Sequence, residues 1–138
     1  MKTRIRWQHN VAFEAETDSG HKFMMDGSPD VGGNNLGPRP MEAVLAGTGA
    51  CSAIDVILIL KKARQQVTDC YVDVDAERAK TDPKVFTRIH FHFVVTGKNL
   101  DAAKVARAIS LSAKVYCSAS AMLAKTANIT HDFELIEG

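Results

Sequence analysis

The chain has 138 residues, 46% hydrophobic and 24% charged, with a formal net charge of +1. That length suits one compact domain over residues 1–138, and the balance excludes a fully disordered chain. It also excludes a global field drawing the protein to nucleic acid or an anionic membrane, so neither is expected as a partner.

The first residues, Met1 to His9, carry no apolar run and no small-residue cleavage site, so a cytoplasmic setting with reduced thiols is expected. Three short runs suit strands: Thr3–Trp7, Ala12–Thr17 and Lys22–Met25, the last two joined by the turn Asp18-Ser19-Gly20. Asp26 to Pro40 is rich in Gly, Pro, Asn and Asp and reads as one long loop, of a length that is often functional. From about Met41 to Gln65 the pattern is helical, with Pro40 at its start. This helix is apolar nearly all round, so it is expected to be central and covered on most sides. Ala43 to Leu60 is almost long enough to span a bilayer, but Asp55 inside it favours a core helix. Its small residues, Gly47 and Gly49 among them, predict close packing against another helix to offset their low helix propensity.

Cys70 to Lys80 alternates, with Cys70, Val72, Val74 and Ala76 on one face and Tyr71, Asp73, Asp75 and Glu77 on the other. After the turn Thr81–Lys84, Phe86 to Thr96 alternates again, with Ile89, Phe91, Phe93 and Val95 toward a core and Arg88, His90 and His92 opposite. Asn99 or Asp101 can cap a second helix to about Ala113, and Ser118 or Ser120 a short third one to about Thr126. Ile129 to Ile136 closes as a strand. The order β-β-β-α-β-β-α-α-β predicts an α+β fold with mainly antiparallel sheet and central helices.

The cysteines Cys51, Cys70 and Cys117 are three, so they cannot all pair internally. Thr48, Cys51, Ser52 and Asp55 fall on one helix face, a polar stripe carrying a thiol. Cys117 stands just before the third helix, where the helix dipole and unpaired N–H groups favour thiolate. Each of these two reads either as a packed thiol or as a reactive one, whereas Cys70, on a strand's apolar face, reads as buried and inert. A reactive pair would pass through a sulfenic acid and a disulfide that an external dithiol resets.

Competing signals are weaker. His90 and His92 share a strand face, and such a pair more often forms an exposed polar face than a metal site. Gly32 to Gly37 lacks the strand–loop–Lys pattern of a phosphate loop. No cofactor and no metal are expected.

The segment Gly33-Asn34-Asn35-Leu36-Gly37-Pro38-Arg39-Pro40-Met41-Glu42, running on through Ala43 to Cys51, resembles the signature of the osmotically inducible protein C and organic hydroperoxide resistance (OsmC/Ohr) family. Val115-Tyr116-Cys117-Ser118 resembles its second cysteine region, and Cys51–Leu60, Phe86–Gly97 and Asn128–His131 look most like its YhfA-like branch. The resemblance spans essentially the whole chain. It implies an OsmC-like fold, antiparallel sheets wrapped around central helices in an intertwined homodimer. It implies a thiol-dependent peroxidase that reduces organic hydroperoxides, lipid ones included, with a dithiol reductant. Cys51 would then be the peroxidatic thiol and Cys117 the resolving one, at the dimer interface.

An Arg held by a Glu assists the reactive Cys in characterised relatives. Here the hydroperoxide-resistance branch's Glu position, ten residues before the Cys, holds Met41, and Glu42 stands nine residues before it, as in the broader branch. Nine residues turn a helix by about 900°, which puts Glu42 on the face opposite Cys51. Arg4, Arg6, Arg39 and Arg88 are candidates for the assisting Arg, and Arg39 is chosen because it lies in the loop entering the Cys51 helix. Met41 motivates the alternative reading, a dimeric redox-sensing or small-ligand-binding stress protein that retains the fold without turnover.

Overall fold

A computed structural model describes all residues, Met1–Gly138. They form two compact units, Met1–Leu45 and Ala46–Gly138.

The first unit is an antiparallel meander of β1 (Thr3–His9), β2 (Ala12–Thr17) and β3 (Lys22–Asp26). Ile5 pairs with Ala15 and Trp7 with Phe13, and β2 sets Phe13 against Met25 and Ala15 against Phe23. Side chains alternate across a sheet, so these apolar residues share one face while Arg4, Arg6, Glu14 and Glu16 take the other. Ala12 and Ala15 are buried, but Ile5, Trp7, Phe13 and Phe23 stay exposed.

The loop after β3 is held by Asp26, which is buried. Its backbone N–H donates to Pro38 O at 3.0 Å, and its Oδ2 accepts the N–H groups of Asn34 (2.9 Å) and Leu36 (3.2 Å). These bonds hold the Asp26 carboxyl below the usual carboxylate range, the Asn34 N–H contributing most. The same bonds use up N–H groups that a phosphate would need, so the glycine-rich loop is closed on itself. Gly37 is required there, since a Cβ would run into the Met24 carbonyl.

α1 (Pro40–Lys62) carries the chain into the second unit. Pro40 takes the first helical position, and Glu42 Oε1 accepts the Arg39 N–H at 2.8 Å, the return half of a capping box. The helix ends where Arg64 adopts a left-handed conformation at φ 58°, and the Gln65 N–H closes back on Leu60 O. α1 is long and apolar enough to cross a membrane by length and composition alone. Its buried residues, Thr48, Ser52, Val56 and Leu60 with Gly49 beside them, form one row four residues apart. The expected cover on most sides is therefore absent within one chain: Ile54 and Leu58 are more than half exposed, at 59% and 54%. One three-stranded sheet and two short helices are too little surface to enclose such a helix.

That second sheet has the order β4-β5-β6, from β4 (Gln66–Arg78), β5 (Phe86–Lys98) and β6 (Asn128–Glu137). β4 and β5 are an antiparallel hairpin, but β6 runs parallel to β5, reached through α2 (Ala102–Leu111) and α3 (Ser118–Leu123). Ile89, Phe91, Phe93 and Val95 are buried as the alternation predicts, and Val94 joins them from the other parity. Gly49 packs on this sheet rather than on a helix, since a Cβ there would lie 3.0 Å from Val74 Cγ2. Cys70 is half-buried rather than fully buried. Burial and the neighbouring Asp69 raise its thiol pKa, which suits an inert role. Asp101 caps α2 by accepting the Ala103 N–H at 2.9 Å.

Candidate functional site: a dithiol beside a carboxylate

Cys51 and Asp55 are one turn apart on α1, so both side chains leave the same helix face. The structure brings Cys117 to them: the two Sγ atoms and an Asp55 carboxylate oxygen all lie within 4.8 Å of one another. Cys51 and Asp55 are half-buried and Cys117 is 3% exposed, and both thiols are free.

Cys117 is delivered by an irregular turn. After α2 the chain widens into a single π-helical turn, Ser112–Tyr116, closed by Cys117 N–H donating to Ser112 O at 2.8 Å. Such turns are frequent at functional sites because they redirect a side chain without breaking the helix pair. The expected Ser cap of α3 is replaced by Cys117, whose Sγ accepts the Ser120 N–H at 3.4 Å. Sulfur is a weak acceptor, so this cap is looser than a hydroxyl's. The predicted thiolate bias at Cys117 is also reversed. Burial pushes the thiol pKa up, Ser120 draws it partly back through its hydroxyl and N–H, and a hydrogen bond with Cys51 raises it again. Burial is the largest of these causes and outweighs the Ser120 contacts at the start of α3.

Sequence reasoning missed Ser112. Fully buried, its Oγ lies 3.1 Å from Ser52 Oγ and 3.1 Å from Asp55 Oδ2. The assignment that satisfies both contacts has Ser112 donating to the carboxylate and Ser52 donating to Ser112. The chain Ser52–Ser112–Asp55 thus orients the carboxylate beside the thiols. A serine between Leu111 and Ala113 in an amphipathic helix gave the only hint, a polar residue out of phase. Beyond Asp55 opens a pocket of about 460 Å³ lined by Leu58, Ile59, Leu111 and Tyr116, with Lys62 and Arg107 among its walls.

Arg39 and Glu42 form a local group of their own in the first unit. Besides the backbone bond between them, Arg39 Nη1 donates to Asn35 Oδ1 and Gly37 O, each at 3.1 Å. Of the other arginines, Arg88 is engaged by Asp75 at 2.9 Å and Glu77 at 3.4 Å on the β4–β5 hairpin.

In register, His90 stands opposite Asp75 and His92 opposite Asp73. Their hydrogen bonds run instead to β6: Asp132 Oδ1 lies 3.0 Å from His90 Nε2 and 2.7 Å from His92 Nδ1. Glu134 lies 3.4 Å from His92 Nε2. This is a polar ladder on the sheet's outer face.

A family model described as OsmC-like protein matches residues 32–132. The chain is 47% identical over 136 residues to protein YhfA of Escherichia coli K12, covering 99% of this chain and 98% of that protein. A structural-genomics structure at 46% identity superposes with a TM-score of 0.91 and covers all of both chains. An organic hydroperoxide resistance protein OsmC from Legionella pneumophila, at 17% identity, shares the fold with a TM-score of 0.73 over 96% of this chain and 95% of its own.

Proposed function

Because the chain belongs to the OsmC-like protein family, we propose that it is a cytoplasmic, dimeric, thiol-dependent peroxidase. It reduces organic hydroperoxides, lipid hydroperoxides among them, through a two-cysteine cycle. The observation that carries this reading is the approach of Cys51 and Cys117, 66 residues apart in sequence, to within 4.8 Å at their sulfurs. A disulfide needs about 2.05 Å between sulfurs, so a modest closure suffices once the backbone permits it.

The Cys51 thiolate attacks the terminal hydroperoxide oxygen; an S–O bond forms, the O–O bond breaks, and the alkoxide takes a proton and leaves as the alcohol. The Cys117 thiol then attacks the sulfenic sulfur, forming S–S and releasing water. A dithiol reductant returns two electrons and two protons. Burial keeps Cys117 protonated until a sulfenic acid faces it, which suits a resolving rather than an attacking thiol. The apolar pocket beside Asp55 would take the organic group. In this reading Arg39 is the cation that assists Cys51, and Glu42 holds the Arg39 backbone.

The test is turnover of cumene hydroperoxide by the reduced protein with dithiothreitol or dihydrolipoamide. We expect consumption in the unaltered protein and background rates in Cys51→Ser. With the dithiol left out, Cys117→Ser should consume one equivalent and hold a sulfenic acid at Cys51 that dimedone traps, where the unaltered protein forms a disulfide. Untouched hydroperoxide, with both thiols still reduced, would refute the reading.

A further inference from the structure

We propose that the reduced Cys51–Asp55–Cys117 cluster is a binding site for one thiophilic divalent cation of the zinc type, with its fourth position left to water. This goes beyond the peroxidase reading and stands without it, because it requires only the reduced thiols.

Three observations carry it. The first is donor convergence: three ligand atoms within 4.8 Å of one another, two from one turn of α1 and one from the π-turn. Tetrahedral zinc has bonds of about 2.3 Å to sulfur and about 2.0–2.2 Å to oxygen, so its donors stand roughly 3.3–3.8 Å apart. The cluster, with its donors within 4.8 Å of one another, therefore needs a contraction of about 1.5 Å or less. Thiolate pairs select zinc and cuprous copper over magnesium or calcium.

The second is the surrounding hydrogen bonding. Ser112 Oγ holds Asp55 Oδ2 at 3.1 Å, and the Ser120 N–H holds Cys117 Sγ at 3.4 Å. Metal sites need this outer shell to fix their ligands, and here it is in place.

The third is electrostatic. Asp55 has no ion pair; its hydrogen-bond partner is the neutral Ser112 hydroxyl. A divalent cation among the three donors would give that carboxylate a counter-ion: two thiol protons leave to solvent, two S–metal bonds and one O–metal bond form, and the site's net charge stays at −1. The pocket of about 460 Å³ that Asp55 borders supplies a path for entry.

The experiment titrates zinc alone into the thiol-reduced, chelator-treated full-length protein against a chromophoric chelator, with cobalt(II) as spectroscopic probe. We expect one zinc per chain and a sulfur-to-cobalt charge-transfer band. Both should persist in Cys70→Ser and be lost in Cys51→Ser and Cys117→Ser. Asp55→Asn should weaken binding about tenfold or more. In the unaltered protein, zinc should slow alkylation of Cys51 and Cys117 but not of Cys70, a readout independent of how the variants fold. Unchanged affinity in Asp55→Asn, retained binding in Cys51→Ser, or equal protection of all three thiols would overturn the proposal.

Discussion

At Asp132 one carboxylate oxygen serves two imidazoles, and the consequence is a pH dependence with a definite sign. The His92 pKa is raised, first by the hydrogen bond to Asp132 and then by Glu134, with burial opposing. The Asp132 pKa is lowered, chiefly by His92. A raised histidine adds stability that is fully present below its unfolded pKa, about 6.5, and is lost as pH rises through the folded value. A lowered aspartate adds stability present above about 3.9 and lost as pH falls through its folded value. The stability gap between the protein and Asp132→Asn, from urea unfolding, should be widest between the two unfolded values, near about pH 5, and shrink as pH rises through the raised His92 pKa. A gap that is flat or grows with pH would show that the pair contributes nothing. Ser112 is the residue whose loss should be felt at the dithiol. Ser112→Ala strips Asp55 of its donor and leaves Ser52 without an acceptor, at a cost of about 1–3 kcal/mol. We expect that loss in unfolding experiments together with altered alkylation rates at Cys51. Neither effect is expected from the chemically identical Ser118→Ala, which lies exposed on α3.

Among the elements, α1 decides most. Its row of buried residues recurs at every fourth position, and Gly49 beside that row permits the close approach to Val74 of β4. Gly49→Val should cost about 1–3 kcal/mol through overpacking, despite the better helix former, and lower the melting temperature. An unchanged melt would mean that β4 yields at no cost. The π-turn is the second decisive element. A regular α2 continued to Ala113, as the sequence predicts, would present Cys117 at a different rotation. Alternation made β4 and β5 legible to within a few residues, because period-two burial leaves a direct trace. The π-turn leaves none, since one extra backbone residue in a turn changes no composition. The thiol cap on α3 was hidden similarly, behind two serines that are better caps by type.

At the scale of the whole molecule the unit faces left bare set the expectation. The β1–β3 sheet exposes Ile5, Trp7, Phe13 and Phe23, and α1 exposes Val44, Ile54 and Leu58. A second copy of the chain offers both faces at once, as a two-fold dimer requires. The protein at micromolar concentration should sediment at twice the 15.0 kDa chain mass. Trp7→Asp and Ile54→Asp should shift it toward monomer or abolish folding. A monomeric wild type would refute the dimer in the proposal above.

The amino-acid sequence by itself determined the element order, the strand faces, the long loop, the family resemblance and the two cysteines worth pairing. These follow from periodicity, turn chemistry and local spacing, which are written along the chain. Only the tertiary structure decided that β6 lies parallel to β5, that Ser112 orients Asp55, and that the carboxylate and two thiols converge. Contacts between residues about 60 apart depend on how a helix row seats on a sheet, and one sequence carries no record of that distance.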